Sequence, residues 1–276
     1  MTADRWPISY CTLDRSPLFG MPETLHEQID HAARAGFTHI TPDMFALRMY
    51  VDEHGSLEPL AAHLADRGLA VCDIAGANVS ADREASLAEA RQLADFGATL
   101  SAQWVQSRIT APLYDAATLD IYRECAALTA ERGLGFGLEF SPFTPINSLG
   151  QAREVLDEVR SAAPGQGIVV DSWHLSFADG VDALLETPSH DVAFVQLSDV
   201  IEGTGATTKA TMHQRALPGE GMLPLDRFVA ALETIGFDGV ITVEVLSAEL
   251  RELDIATYVD RTFATTARAL GRSVPS

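Results

Sequence analysis

The sequence has little positive charge. It contains 19 Lys and Arg residues against 39 Asp and Glu residues, a formal net charge of −20, and Lys209 is its only lysine. Because proteins that bind nucleic acid neutralise phosphates with clustered cations, this balance argues against a nucleic-acid partner. The sequence contains no basic block that would bind an anionic membrane surface. The acidity is more typical of a protein whose net charge favours solubility.

Long apolar runs are also missing. No stretch approaches the roughly 18 apolar residues of a membrane span, and residues 1–10 lack the apolar core of a signal peptide. We therefore expect no membrane partner and a cytoplasmic location. The three cysteines, Cys11, Cys72 and Cys125, are far apart and lie among apolar residues. That arrangement favours buried reduced thiols over a disulfide framework or a thiolate metal site.

Length and composition are those of an ordinary globular protein. The chain has 276 residues, of which 47% are hydrophobic and 21% are charged. These fractions exclude a disordered chain and a fibrous protein. The length allows either two modest domains or one α/β barrel of about 250 residues.

Short apolar runs alternate with longer amphipathic segments along the whole chain. The eight predicted strands cover residues 8–13, 38–41, 69–74, 100–106, 135–140, 167–171, 192–197 and 239–245. The predicted helices cover residues 22–35, 57–67, 82–96, 116–132, 148–160, 181–186 and 224–235, with a last helix after residue 247. This order predicts the fold class α/β, as a closed (β/α)8 TIM barrel that forms a single domain over residues 1–276. An open doubly wound sheet is the alternative, although no phosphate-binding glycine loop follows the first strand.

The connections between the predicted elements are informative in two ways. Several predicted helices end at a glycine, namely Gly36, Gly68, Gly97, Gly133 and Gly236. A glycine at this position adopts positive φ and lets the chain turn into the next strand. The connection over residues 200–218 is polar, rich in Gly and Thr, and longer than most βα loops. We predict that it forms a lid.

Four polar side chains lie at the ends of the last four predicted strands: Glu139, Asp171, Gln196 and Glu244. In a barrel they would face one mouth, where active sites of this fold lie. Taken singly, a carboxylate after a strand is usually a helix cap or a surface charge. Taken together, three carboxylates would repel one another unless a cation lay between them. Oxygen donors favour Mn²⁺ first, with Mg²⁺, Co²⁺ or Zn²⁺ as possible substitutes.

These residues lie in motifs that resemble a known family. The motifs are Leu138-Glu139-Phe140, Val170-Asp171-Ser172-Trp173-His174, Val195-Gln196-Leu197-Ser198-Asp199, Arg215 with Pro218-Gly219-Glu220-Gly221, and Gly236-Phe237-Asp238-Gly239 before Val243-Glu244-Val245. In combination they resemble the xylose-isomerase-like superfamily of barrels. That superfamily includes sugar isomerases and epimerases, inosose dehydratases, 3-dehydroshikimate dehydratases and endonuclease IV. The resemblance is best over the last four predicted strands, and the first half matches only in its βα pattern.

The resemblance implies a metal centre and two proton-transfer groups. It implies that one divalent metal is bound by Glu139, Asp171, Gln196 and Glu244. It also implies that Glu139 and Glu244 act as base or acid on the two faces of a small polyhydroxylated carbonyl substrate. His174 is a third catalytic candidate, because imidazole transfers protons near neutral pH. The alternative is a structural histidine bonded to a backbone carbonyl.

Three cationic or imidazole side chains are predicted to bind substrate. Arg215 resembles the family arginine that reaches over the substrate from the lid, and a planar guanidinium suits paired hydroxyls, a carboxylate or phosphate. A solvated loop arginine is the alternative. His213 and Arg108 are candidates of the same kind, the first within the predicted lid and the second just past the fourth predicted strand.

The predicted reaction is isomerisation or epimerisation of a keto-sugar or cyclitol, by proton abstraction next to a carbonyl through a metal-stabilised enediolate. A dehydratase is the alternative. Gln196 resembles the dehydroshikimate dehydratases, whereas many epimerases have His there, and residues 141–145 resemble the sugar isomerase branch. A repair endonuclease would need more His ligands than this sequence places. A non-catalytic sugar-binding barrel would not need the carboxylate set. Homo-oligomers are common among such barrels, so one is possible here.

Overall fold

The computed structural model describes residues 5–111, 115–201 and 211–272. Its strands are β1 (Ile8–Cys11), β2 (His39–Thr41), β3 (Ala70–Val71), β4 (Asp73–Val79), β5 (Trp104–Ile109), β6 (Gly135–Glu139), β7 (Gln166–Asp171), β8 (Val192–Leu197), β9 (Asp199–Val200), β10 (Arg215–Ala216) and β11 (Ile241–Val243). Nine of these strands form one sheet in the order β3-β2-β1-β11-β8-β7-β6-β5-β4. All of its pairs are parallel, whereas β9 and β10 form a separate antiparallel pair.

The two ends of the parallel sheet meet at Cys72. Only this residue separates β3 from β4, which are the outer strands of the ladder. On one side, the Cys72 amide donates to the carbonyl of Ile40 in β2, the neighbour of β3 (3.0 Å). On the other side, the Cys72 carbonyl accepts from the amide of Trp104 in β5, the neighbour of β4 (3.1 Å). β3 and β4 therefore act as one irregular barrel strand, and the sheet closes with eight strand positions. The predicted TIM barrel is confirmed.

Helices surround this barrel. They are α1 (Leu25–Ala35), α2 (Met44–His54), α3 (Glu58–Arg67), α4 (Arg83–Leu100), α5 (Ala116–Ala130), α6 (Leu149–Val159), α7 (Ser172–Ser176), α8 (Leu225–Ile235) and α9 (Ile255–Ala269). Several begin at an Asp or Ser side chain that accepts hydrogen bonds from first-turn amides, as Asp82 and Ser148 do. Within the described ranges, no helix is both long and apolar enough to cross a bilayer.

The predicted boundary between the fourth helix and the fourth strand is wrong. The strand predicted over 100–106 begins only at Trp104, because α4 continues to Leu100. Gly97 therefore lies inside α4, and the left-handed residue at the helix end is Ser101, with a φ of 55°. Close packing explains the glycine, since a Cβ at position 97 would lie 2.8 Å from a methyl carbon of Leu134. At Gly36 the prediction is confirmed, with a φ of 107° at the end of α1.

Two helix predictions also differ from the structure. Residues 57–67 were the only helix predicted between the second and third strands, whereas the structure has α2 as well as α3. The apolar side chain of Met49 in α2 faces solvent at 37% exposure, so this helix lacks the clean apolar stripe that sequence periodicity detects. The segment predicted as an amphipathic helix over 181–186 is a 3-10 helix, Val181–Glu186.

The predicted lid over 200–218 lies only partly within the described residues. Its first and last segments pair as β9 and β10, with Val200 opposite Arg215. Residues 202–210, which include Lys209, lie outside the described residues. The pairing brings the returning chain, and with it Arg215, back over the carboxyl ends of β7 and β8.

The buried carboxylate of Asp199 fixes the turn that follows β10. It accepts hydrogen bonds from the amides of Gly219 (3.1 Å), Gly221 (3.0 Å) and Leu223 (2.8 Å). A Cβ at position 221 would lie 2.4 Å from Asp199 Oδ1, so only glycine fits there. The motif of residues 218–221 thus has a structural role, which is to shape the turn around Asp199.

Candidate metal and active site

A cavity of about 470 Å³ opens at the carboxyl ends of the barrel strands. Glu139, His174, Arg215 and Glu244 line one part of it, together with Gln106 and Arg108 of β5. Asp171 and Gln196 lie fully buried at the ends of β7 and β8, where they are paired in register. We call the set Glu139, Asp171, Gln196 and Glu244 the carboxylate side of the mouth. All four side chains are at most 4% exposed, so the strand order brings the predicted set together.

Glu139 is the last residue of β6 and lies between two nitrogen-bearing side chains. His174 Nε2 is 3.5 Å from Glu139 Oε1, and the Arg108 guanidinium is 3.9 Å from Glu139 Oε2. Burial raises the pKa of Glu139, but the hydrogen bond from His174 and the positive charge of Arg108 outweigh burial and hold the pKa below its usual range. Glu139 is therefore an ionised carboxylate beside the cavity.

Asp171 has two structural roles in addition to its place in the site. Its Oδ1 caps α7 by accepting from the amides of Trp173 (2.7 Å) and His174 (3.2 Å). Its Oδ2 accepts from the Arg215 guanidinium at 2.8 Å. The cap also explains the position of His174, because the first turn of α7 carries that imidazole back toward β6.

Gln196 is held by its nitrogen. The Nε2 atom donates to Glu244 Oε1 (3.1 Å) and to Gln106 Oε1 (3.4 Å). Gln196 Oε1 is buried and has no hydrogen-bond partner among the described residues. A buried amide oxygen without a partner is costly unless a ligand satisfies it. The orientation thus leaves an oxygen donor available in the carboxylate side.

Glu244 follows β11 and has the opposite electrostatic setting from Glu139. Burial raises the pKa of Glu244, Arg215 opposes that increase, and the nearby Glu139 and Asp171 carboxylates reinforce it. The two glutamates thus have pKa values displaced in opposite directions. Such a pair can divide the roles of base and acid.

His174 completes a compact group of possible metal ligands. Glu139, Asp171 and His174 each offer a ligand atom, and these atoms all lie within 4.8 Å of one another. The sequence predicted His174 as a catalytic residue rather than as a ligand, and both roles are compatible with its position. Its Nδ1 is buried with no hydrogen-bond partner in the described part of the chain, so the alternative of a histidine bonded to a backbone carbonyl has no support in this geometry.

Arg215 lies deeper than a solvated loop arginine would. Its side chain is 1% exposed, and its Nη1 contacts Asp171 Oδ2 (2.8 Å) and Glu244 Oε2 (3.4 Å). The guanidinium also lies 5.2 Å from the ring centroid of Trp173. Arg215 lines the cavity and at the same time neutralises two carboxylates of the site.

The other two predicted substrate-binding residues lie on different parts of the cavity rim. Arg108 is 38% exposed and faces Glu139. His213 packs edge-on against Phe19, with 5.3 Å between ring centroids. Burial, together with the charges of Arg251 and Arg215, lowers the pKa of His213, which favours the neutral imidazole.

Gln106 is a site residue that the sequence analysis missed. It is 3% exposed, lines the cavity and accepts the hydrogen bond from Gln196. A signal was present, because Gln106 is a polar residue within an apolar strand, as Gln196 is. The strand was predicted to end at residue 106 rather than at Ile109, and the residue was not recognised as part of the mouth.

Another part of the cavity lining is mostly apolar. Leu13, Leu18, Phe19, Met44 and Phe45 line it, and we call this set the apolar wall. It is formed by the 3-10 turns after β1 and by the first turn of α2. These elements connect strands whose sequences resemble no family motif, and α2 was not predicted, so the wall had no clear signal in the sequence.

Polar residues beside the apolar wall are used by the framework. Asp43 Oδ1 accepts from Ser16 Oγ (2.6 Å) and from the amides of Phe45 and Ala46 (3.1 Å each). Asp43 Oδ2 accepts from Thr12 Oγ1 at 2.7 Å. Asp43 thus caps α2 and ties it to the turn after β1, so the framework uses most of the acceptor capacity of its carboxylate.

Comparison with known proteins identifies the family. The sequence model described as xylose isomerase-like TIM barrel matches residues 29–263. The chain belongs to this family. The inosose isomerase of Bacillus subtilis (strain 168) is 26% identical over 140 residues, which cover 49% of each chain. The 3-dehydroshikimate dehydratase of Pseudomonas aeruginosa is 28% identical over 134 residues, 48% of this chain and 21% of that protein. The chain therefore spans half or less of the length of these relatives.

Solved structures agree on the fold. A crystal structure described as the IOLI protein with a binding zinc atom has a TM-score of 0.84 at 19% identity and covers 96% of this chain and 98% of its own. An L-ribulose 3-epimerase has a TM-score of 0.74 at 15% identity, with 96% and 95% covered. The zinc atom belongs to that IOLI structure. In the present chain, Glu139 and Asp171 of the predicted ligand set form a compact group of possible metal ligands with His174.

Proposed function

We propose that this protein is a divalent-metal-dependent isomerase or epimerase that acts on a keto-sugar or cyclitol. The observation that carries the proposal is that Glu139 and Glu244 line one cavity, while the buried Asp171 and Gln196 lie at the carboxyl ends of the two strands between them. Membership of the family and the named isomerase relatives support it. The substrate we propose is a small polyhydroxylated carbonyl compound.

The residues of the carboxylate side fit a divalent metal. Three carboxylates lie close together, and the buried Gln196 Oε1 is free to accept a ligand. Oxygen donors suit Mn²⁺ best, and His174 beside Glu139 and Asp171 would also allow Zn²⁺. When bound, the metal would supply Lewis acidity at the substrate carbonyl, which makes the neighbouring C–H more acidic.

Glu139 and Glu244 are the proposed proton-transfer groups. One carboxylate removes the proton next to the carbonyl, and the electron pair of the C–H bond passes toward the carbonyl oxygen. In an epimerase a proton is then returned to the same carbon from the opposite face. In an isomerase it is returned to the former carbonyl carbon, while the neighbouring hydroxyl gives up its proton to become the new carbonyl and the former carbonyl oxygen gains one. The cavity position of both glutamates, and their oppositely displaced pKa values, support this division.

The neighbouring side chains would bind and orient the substrate. Arg215 and His174 are within reach of oxygen atoms bound near the carboxylates, since both line the cavity. Arg108 and His213 would contact the parts of the substrate nearer the rim. Because Arg215 is already held by Asp171 and Glu244, its donors are positioned before a substrate enters.

A dehydratase of the 3-dehydroshikimate or inosose type is the second candidate. Gln196 in place of a histidine and the Pseudomonas aeruginosa relative favour it. After the same proton abstraction, a β-hydroxyl would leave as water once a general acid had protonated it. His174, between Glu139 and Asp171, is the acid we propose for that step.

Incubation with Mn²⁺ in heavy water distinguishes these reactions. The panel contains keto-sugars, an inosose and 3-dehydroshikimate. Deuterium uptake without loss of water supports isomerisation or epimerisation, and a new enone or aromatic chromophore supports the dehydratase. The variant Glu244→Gln should abolish exchange with the true substrate, whereas Glu249→Gln, an exposed glutamate five residues later, should not. Exchange that survives in Glu244→Gln contradicts the role proposed for Glu244.

A further inference from the structure

A second group of possible metal ligands lies outside the cavity. Glu23, Glu53 and His54 each offer a ligand atom, and these atoms all lie within 4.8 Å of one another. None of the three residues lines the cavity at the mouth of the barrel. Glu23 lies two residues before α1, whereas Glu53 and His54 are the last two residues of α2. The group therefore joins the beginning of one helix to the end of another.

The two carboxylates of this group have no arginine partner. The arginine ion pairs of the described residues all involve other carboxylates. Burial raises the pKa of Glu23, the Leu25 amide lowers it, the charge of Glu53 raises it again, and His54 opposes that effect. Two carboxylates that repel each other beside one imidazole are a favourable setting for a divalent cation.

Tyr50 orients the imidazole of His54. The two rings lie 4.2 Å apart between centroids, and Tyr50 is 1% exposed. The Tyr50 hydroxyl lies 3.0 Å from His26 Nε2, so the tyrosine is itself held from α1. In the part of the chain that the structure describes, no hydrogen bond engages a ring nitrogen of His54. The imidazole is thus restrained in position while its nitrogens stay available to a ligand.

The donors of this group favour Zn²⁺ over Mn²⁺. Imidazole and carboxylate groups are both zinc ligands, and three protein ligands leave a fourth position for water. A site with nitrogen and oxygen donors binds Zn²⁺ more tightly than Mn²⁺. The end of α2 adds to the attraction, because the carbonyl groups of a last helical turn carry partial negative charge.

We propose that Glu23, Glu53 and His54 form a second divalent-metal site, which takes Zn²⁺ and is separate from the proposed active site. The ion would tie the start of α1 to the far end of α2, whose first turn carries the cavity residues Met44 and Phe45. Its role is to stabilise this pair of helices. Because none of the three ligands belongs to the carboxylate side, the proposal does not depend on the proposed function.

Calorimetric titration of the full chain with Zn²⁺ counts the site. We expect His54→Ala to bind one ion fewer than the unaltered protein, and Glu53→Gln to bind that ion at least about tenfold more weakly. Both side chains are exposed, so neither change disturbs the core. The carboxylate side is the same in all of these proteins, so the difference counts the second site alone. Equal stoichiometry and affinity in the unaltered protein and His54→Ala overturn the proposal.

Two control variants test for adventitious binding to surface groups. His31→Ala removes an imidazole that faces a single carboxylate, Glu27 at 3.9 Å, and also contacts Arg34. Asp52→Asn removes an exposed carboxylate next to Glu53 in the chain. Both variants should retain the number of ions and the affinity of the unaltered protein. If either one loses as much Zn²⁺ binding as His54→Ala, the binding is adventitious and the proposal fails.

Thermal unfolding supplies a readout of the structural role. An ion that binds only the folded arrangement of α1 and α2 stabilises it. Saturating Zn²⁺ should therefore raise the midpoint of unfolding more in the unaltered protein than in His54→Ala, whereas Mn²⁺ should not distinguish the two proteins. An equal rise with Zn²⁺ in both proteins contradicts the proposal.

Discussion

The carboxylate side of the mouth contains buried acidic residues, and the buried Asp43 lies beside the apolar wall, but the hydrogen bonding in the two regions differs. On the carboxylate side, Gln196 Oε1 and the neighbouring His174 Nδ1 have no partner within the described ranges. Beside the apolar wall, both oxygens of Asp43 are occupied by hydroxyls and amides of the framework. Polarity at a strand end is therefore not what distinguishes a site. The distinguishing property is whether polar atoms remain for a ligand.

The largest effect should follow substitution on the carboxylate side. In Glu139→Gln the shape is kept but the proton-transfer group is lost, so deuterium exchange with the true substrate should fall about 10²- to 10⁴-fold. Thermal unfolding should change little. Glu154→Gln, an exposed residue of α6, is the control and should retain full exchange. If Glu139→Gln retains deuterium exchange, the carboxylate side does not differ from the apolar wall in the way proposed.

Gln106→Leu tests whether hydrogen bonds behind the carboxylate side prepare it for a metal. The change removes the acceptor that helps to hold Gln196 Nε2. We expect Mn²⁺ affinity, measured by isothermal titration calorimetry, to fall about 10- to 100-fold, as is typical when a partner of a metal ligand is lost. Gln103→Leu changes an exposed glutamine just before β5 and should leave the affinity unchanged. Equal affinities in the two variants would show that Gln106 does not position Gln196.

Asp43→Ala tests the opposite expectation for the apolar wall. Loss of the α2 cap and of the acceptor for two buried hydroxyls should lower the free energy of unfolding by about 2 kcal/mol, while Mn²⁺ affinity stays unchanged. Asp82→Ala removes the cap of α4, because the exposed Asp82 side chain accepts from the Ala85 amide. This substitution should lower the free energy of unfolding by less than Asp43→Ala does. Chemical denaturation measures both, and a loss of metal affinity in Asp43→Ala would contradict the structural role of Asp43.

A buried carboxyl group behind the apolar wall should make the stability depend on pH. Burial raises the pKa of Asp14 to about 7, against the opposing effects of the Ser247 amide and Arg251. The folded state thus retains a proton that the unfolded state releases near pH 4. Asp14 therefore makes the free energy of unfolding fall as pH rises from about 4 to about 7. Denaturant titrations over this range should show a shallower fall in Asp14→Asn. If the free energy of unfolding of Asp14→Asn depends on pH in the same way as that of the unaltered protein, Asp14 is not the group responsible.

The second half of the barrel was largely predictable from the sequence. Each of Glu139, Asp171, Gln196 and Glu244 ends or follows an apolar strand, and neighbouring parallel strands bring such ends to one mouth. Their family motifs gave the same set independently. The sequence could not show that Arg215 pairs with Asp171 and Glu244, because that contact depends on how β10 returns beside β9.

The first half was less predictable, for identifiable reasons. Helix α2 has an irregular apolar pattern, and the third barrel strand is interrupted at Cys72, so neither has the periodicity of a regular element. Gly97 resembles a helix end but is required by packing against Leu134. The apolar wall is formed by the first turn of α2 and by the 3-10 turns after β1. Neither the apolar wall nor the hydrogen bonds of Asp43 could be predicted without the tertiary structure.

A calorimetric titration with Mn²⁺ tests the central claim most directly, namely that four oxygen donors of the carboxylate side bind one divalent cation. We predict one ion per chain for the unaltered protein and at least a tenfold loss of affinity in both Gln196→Leu and Asp171→Asn, with Asp82→Asn as an unaffected control. Absence of saturable binding, or equal affinity in all four proteins, would contradict the account.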